Sequence, residues 1–118
     1  MVEILYLTQY DLQPHYPVKA IDSSGATVDL TGATIYCNMV LITGGTLKIN
    51  RQTAGIVIAN QTTNKGEFKY QWQTGDTDIA GKYYIEFEIN PASGGKFTVP
   101  SPKEGKAQVT ISAGLDTQ

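Results

Sequence analysis

The sequence predicts an all-β sandwich of about seven to nine antiparallel strands, and three observations predict it. Apolar and polar residues alternate in short runs. Breaks rich in glycine, proline, serine and asparagine recur between those runs, and no helical apolar period persists over three turns. The clearest runs flank one connection. Phe68, Tyr70 and Trp72 share a parity, with Glu67, Lys69 and Gln71 between them. Tyr83, Ile85, Phe87 and Ile89 share another, with Tyr84, Glu86 and Glu88 between them. Successive side chains of a strand point to opposite faces, so each run has a dry and a wet side. The connection, residues 73–82, is too long for a tight hairpin and carries Gly75, Asp76, Asp78 and Gly81. It reads as an arch from one sheet to the other. Cys37, Trp72, Tyr83, Ile85 and Phe87 are the predicted core.

Taken in order, residues 3–9 are strand-like, with Leu5 and Leu7 on one side and Ile4 and Tyr6 on the other. A stretch apolar on both sides must be sandwiched or dock on another subunit. Pro14 and Pro17 bracket His15 and Tyr16; proline removes ladder donors, so this part belongs to an edge or a loop. Residues 18–22 and 27–30 then read as a small hairpin around Ser23-Ser24-Gly25. Residues 33–41 form the next strand, with Ile35, Cys37 and Met39 on one face and Tyr36 and Asn38 on the other. After Gly44-Gly45 come short strands at 46–50 and 55–60, and Asn64-Lys65-Gly66 is a tight-turn signal. Beyond the arch, residues 91–95 are a loop, 96–99 a strand, and Pro100 and Pro102 a break. Ala107, Val109 and Ile111 alternate with Gln108, Thr110 and Ser112 as the last strand.

Length and composition suit one domain over residues 1–118, with 1–10 as an interface strand or arm and 113–118 as a frayed tail. Nine basic against eleven acidic residues, a net charge of −2, leave no basic surplus for phosphates, so no nucleic-acid partner is expected. No apolar run has the length of a membrane span, and the N-terminus lacks the basic region of a signal peptide. It reads as retained, structured chain. Cys37 is the only cysteine, so no intrachain disulfide forms.

Sites of chemistry are sparse. His15 is the only histidine and has no acidic cluster near it in sequence. Asp76 and Asp78 loosely suggest a calcium loop, but the ligand spacing and glutamate of an EF-hand are missing; backbone N–H acceptance within the arch is the simpler reading. Glu86 and Glu88 on a wet strand face read as solubility residues facing a lysine on a neighbour. No nucleophile motif, phosphate loop or dinucleotide fingerprint is present. The expectation is therefore no catalytic residue, metal, cofactor or small-molecule substrate. Tyr10, Tyr16, Tyr36 and Tyr84 fall in loops or on outward parity, where tyrosines favour interfaces.

Two stretches carry resemblances. Gly81-Lys82-Tyr83-Tyr84-Ile85 resembles the tyrosine corner of immunoglobulin-like sandwiches, with Tyr83 at the corner. Ile85 then stands where the second cysteine would sit and Cys37 faces it across the core, which implies a disulfide-free immunoglobulin-like domain. The segment VDLTGATI (28–35), together with KYQWQTGDTDIAGKYYIEFE (69–88), is similar to the immunoglobulin-like domain of tailed-phage baseplate upper proteins. The resemblance runs from about residue 18 to residue 111. It implies a virion structural protein, folded in the host cytoplasm. With no long C-terminal extension in the sequence, it favours a stand-alone tail, baseplate or capsid accessory subunit. Its partners would be other phage structural proteins or copies of itself in a symmetric assembly. The expected contact residues are Ile4, Leu5, Tyr6, Leu7, Tyr10 and Tyr16, and deleting residues 1–10 is expected to spare the fold. The alternative is a carbohydrate-binding or adhesive module stacking sugars on Tyr36 and Tyr84.

Overall fold

A computed structural model describes residues 4–21, 24–100 and 106–114. Nine strands lie among them: β1 (Ile4–Thr8), β2 (Tyr16–Lys19), β3 (Thr34–Leu41), β4 (Leu47–Gln52), β5 (Ile56–Ile58), β6 (Glu67–Tyr70), β7 (Gly81–Asn90), β8 (Phe97–Val99) and β9 (Ala107–Ser112). The larger sheet has the order β1-β9-β7-β3-β4, with β8 also pairing β7; the smaller is β2-β6-β5. This is an immunoglobulin-like sandwich. Strands β2, β6 and β5 take the places of B, E and D, while β9, β7, β3 and β4 take those of G, F, C and C′.

The arch does what its length predicted, leaving β6 in the small sheet and entering β7 in the large one. Its geometry is fixed by side chains. The Tyr83 hydroxyl donates to the Ile79 carbonyl at 2.7 Å, closing the tyrosine corner. Asp76 is buried; its Oδ2 accepts the Gln73 backbone N–H at 2.8 Å and the Tyr70 hydroxyl. Asp78 instead pairs with Lys48 of β4 at 2.6 Å. Before β6, Gly66 turns the chain at a φ of 84°. A Cβ there would lie 2.4 Å from the Thr27 methyl, so glycine is needed for both conformation and space.

Several expectations need correction. The sheet is not antiparallel throughout: β1 runs parallel to β9, Ile4 to Thr8 in register with Gln108 to Ser112. The two strands are separated by almost the whole domain, so no short turn imposes the antiparallel sense. Nor is this segment a detachable arm. Leu7 is buried, Gln9 donates its backbone N–H to Ser112, and Tyr10 donates to the Thr77 carbonyl at 3.0 Å. Deleting residues 1–10 therefore removes a core residue and unpins the arch. Tyr16 is likewise inside, on an edge strand that also contains Pro17. Ala20 donates its N–H toward β6, to the Gly66 carbonyl, so by alternation Pro17 turns its missing donor outward. Cys37 does not face Ile85 across the core. They lie on neighbouring strands of one sheet, Cys37 in register with Phe87 and Ile85 with Met39. Among the described residues the hairpin around residue 25 is reduced to the bridge Ile21–Thr27; residues 22 and 23 of it lie outside them. Of the segments read as ends, residues 1–3 and 115–118 lie outside the described residues.

The core is aromatic at its centre. Phe87, from the large sheet, meets Phe68 edge-on at 5.2 Å and Tyr16 at 5.9 Å, both from the small one. Trp72 stands perpendicular to Tyr70 at 5.3 Å and anchors its indole N–H on the Pro14 carbonyl at 2.9 Å. All five predicted core residues are buried here.

Two acidic protons are buried with them. Burial, then the hydrogen bond to Asp76, pushes the Tyr70 hydroxyl well above the usual tyrosine range. Burial, then the nearby Asp76, does the same to the Cys37 thiol. Both groups hold their protons more tightly in the folded state, so their stabilisation is complete below the unfolded pKa values and is lost as pH rises past them. The urea midpoint should be flat near neutrality and fall from about pH 9 upward, with a shallower fall in Tyr70→Phe. A wild-type midpoint unchanged to pH 11 contradicts this.

Candidate functional site

A sheet edge is a place where a sandwich can add another chain, because an edge strand leaves a row of backbone donors and acceptors unpaired. Most edges here are guarded. Strand β4 carries Lys48 and Arg51 and shifts register twice against β3, with Arg51 at a φ of 48°. Strand β2 contains Pro17 and Lys19, while β5 and β8 are three residues each. Strand β1 has none of these devices: five residues, ILYLT, without charge, proline or bulge.

Its free groups can be identified. The N–H and C=O of one strand residue point to the same side, and successive residues alternate. Gln9 bonds to β9, so Leu5 and Leu7 also point there, and Ile4, Tyr6 and Thr8 point outward. Thr8 is already used: its N–H donates to Asp11 Oδ2 and its carbonyl accepts the Asp11 N–H, both at 3.0 Å. Ile4 and Tyr6 are left with outward backbone groups and no partner among the described residues. Their side chains are exposed as well, Tyr6 by 69% and Ile4 by 43%.

From this edge an uncharged row crosses the outer face of the large sheet. Register places Ile4 beside Gln108, then Tyr84, Val40 and Leu47. Around it lies a groove of about 660 Å³ whose walls include Asn38, Leu47, Glu86 and Lys106. The β4 bulge re-aims Arg51 onto this face. Its backbone N–H donates to Asn38 Oδ1 at 2.8 Å, and its guanidinium stands 4.1 Å over the Tyr36 ring and 2.6 Å from Glu88. The hydrogen bond from Asn90, then that from Arg51, holds the Glu88 carboxyl below the usual glutamate range. Lys106 lies 4.7 Å over the Tyr84 ring. The partner of Glu88 is thus an arginine, not the lysine expected. His15 lies half-buried on the β1–β2 loop, and among the described residues no three His, Cys, Asp or Glu side chains converge on a metal-sized site.

Compared with protein-family models, curated proteins and solved structures, the chain matches none.

The predicted contact residues divide by geometry. Ile4, Tyr6 and Tyr10 are exposed along β1 and the turn after it. Leu5 is half-buried against the core, and Leu7 and Tyr16 are interior and present no surface. Sequence reasoning missed Leu12, Leu47 and Ile79, all exposed. Leu12 and Ile79 sit singly in polar loops, where parity gives no face to read. Leu47 follows Gly44-Gly45, and the β4 register shifts break the alternation that would have placed it.

Proposed function

We propose that the chain is a non-enzymatic structural subunit of a tailed-phage particle, a tail, baseplate or capsid accessory protein, acting through protein–protein contacts. The observation that carries the contact reading is the unguarded β1 edge, with two residues' backbone groups and the exposed Ile4 and Tyr6 side chains facing outward. The phage assignment rests on the resemblance of residues 28–35 and 69–88. In this reading the sandwich is a rigid mount and β1 is the surface it presents. Small contacts become strong when ring symmetry repeats them. The sugar-binding alternative draws less support, since a face of each outward ring, Tyr36 and Tyr84, is already covered by a cation of the same chain.

A lysine placed on the edge tests this without touching the core. Tyr6→Lys should fold with an unchanged urea midpoint yet fail to enter particles, whereas Val57→Lys, on the short β5 edge, should enter normally. Normal incorporation of Tyr6→Lys would overturn the reading.

A further inference from the structure

We infer that the β1 edge pairs with the β1 edge of a second copy of this chain, antiparallel and two-fold symmetric, with Leu5 at the axis. This rests on the reading of β1 as the contact edge and names its occupant. The register follows from the free groups. Ile4 and Tyr6 alone on β1 have outward N–H and C=O groups unpaired among the described residues, because Thr8 spends its own on Asp11. Antiparallel strands form hydrogen bonds at alternate residue pairs, each pair exchanging two. Setting Ile4 against Tyr6 of the copy, and Tyr6 against Ile4 of the copy, fills every one of those free positions. Centring on Tyr6 instead would set Ile4 against the occupied Thr8.

The side chains agree with this register. Ile4 and Tyr6, both exposed and on one face, become aromatic–aliphatic cross-strand pairs, one on each side of the axis. Leu5, half-buried on the opposite face, meets its own copy and prolongs the apolar row of Leu5 and Leu7. Charge agrees as well. A two-fold contact sets each strand against itself, so a lysine or arginine on it faces a like charge nearby. Strands β2 and β4 carry such residues and β1 carries none. The product is a continuous sheet through two sandwiches.

The full chain is examined by sedimentation and by cysteine cross-linking, for which the fully buried Cys37 is an inert background. The wild type should show a concentration-dependent dimer that Tyr6→Lys abolishes. Leu5→Cys should form a covalent dimer on mild oxidation. Thr8→Cys should not, because in this register the two positions lie about 20 Å apart, well beyond disulfide reach. Linking through Thr8→Cys would mean a parallel or shifted contact and would overturn the inference. So would a wild type that stays monomeric at every concentration together with Leu5→Cys that does not link. Failure here remains separable from failure of the contact reading. A monomeric wild type whose Tyr6→Lys variant is still excluded from particles leaves β1 as the edge with a different partner. A monomeric wild type whose Tyr6→Lys variant is incorporated removes both.

Discussion

Phe87→Ala should lower the unfolding free energy by about 4 kcal/mol, the usual cost of removing a fully buried phenylalanine. The reason is its position. Phe87 is the large sheet's contribution to a ring cluster whose other members, Tyr16, Phe68 and Tyr70, come from the small one, at centroid distances between 5.2 and 6.4 Å. The truncation opens a cavity at the seam between layers, where neither sheet can collapse without dragging its neighbours. Against a total of about 5–15 kcal/mol for a domain, that leaves the fold marginal. Urea unfolding is the measurement. The adjacent exposed Glu86→Ala serves as control and should change stability by less than about 0.5 kcal/mol. A double-mutant cycle with Phe68→Ala should show coupling of about 0.5–1.5 kcal/mol, the excess an edge-on ring pair carries beyond buried area. A cost for Phe87→Ala near that of Glu86→Ala would mean the sheets are not packed through these rings.

That seam was legible in the sequence because it depends on parity alone. Phe68, Tyr70 and Trp72 on one run, and Tyr83, Ile85 and Phe87 on the next, are separated by residues that are polar or, at Tyr84, carry a hydroxyl, so one side of each strand had to be dry. The tyrosine corner was legible for a similar reason: it is local, four residues from the Tyr83 hydroxyl to the Ile79 carbonyl. What escaped was non-local. Strand β1 is apolar on both faces, so alternation offered two equal choices for its buried side, and its partner β9 lies at the other end of the chain. Tyr16 was hidden by the prolines around it, which remove donors without saying which way the remaining side chains point. Cys37 was misplaced because the sequence gives the parity of β3 but not its sheet. The strand lies beside β7, so inward-facing residues of the two became neighbours instead of opponents.

The candidate contact surface was half legible for the same reasons. An uncharged, apolar run at residues 4–7 singled out this segment in the sequence. Only strand order could show that its outer side is open while every other edge has a lysine, a proline, a bulge or too few residues. Guarding is a comparative property: β1 stands out because β2 and β4 are defended. The same strand supplies Leu7 to the core, which ties the contact edge rigidly to the body it would carry. The proposed role as a rigid mount calls for that coupling, and a flexible arm would not supply it.

The arch gives the second large effect. Asp76→Ala should destabilise the domain by about 3 kcal/mol, because it deletes two hydrogen bonds to a carboxylate and strands their donors. One donor is the Gln73 backbone N–H at 2.8 Å; the other is the Tyr70 hydroxyl, itself accepting from the Gln52 side-chain amide. Gln52 lies on β4 of the large sheet and Tyr70 on β6 of the small one, so this chain of polar groups joins the layers beside the aromatic seam. Asp76→Asn separates charge from shape. With its carbonyl oxygen in the place of Oδ2, the amide still accepts from both Gln73 and Tyr70, but as a neutral acceptor about half as strong as a carboxylate, so about half of the loss should remain. Asp78→Ala, whose side chain is 41% exposed and pairs with Lys48, should cost less than about 1 kcal/mol. Calorimetry with calcium adds a separate outcome. In this arrangement Asp76 Oδ2 is already taken by two donors and Asp78 by a lysine, so the arch should show no calcium-dependent rise in melting temperature. A calcium-dependent rise abolished by Asp76→Ala would make the arch a metal loop and its hydrogen bonds a resting state.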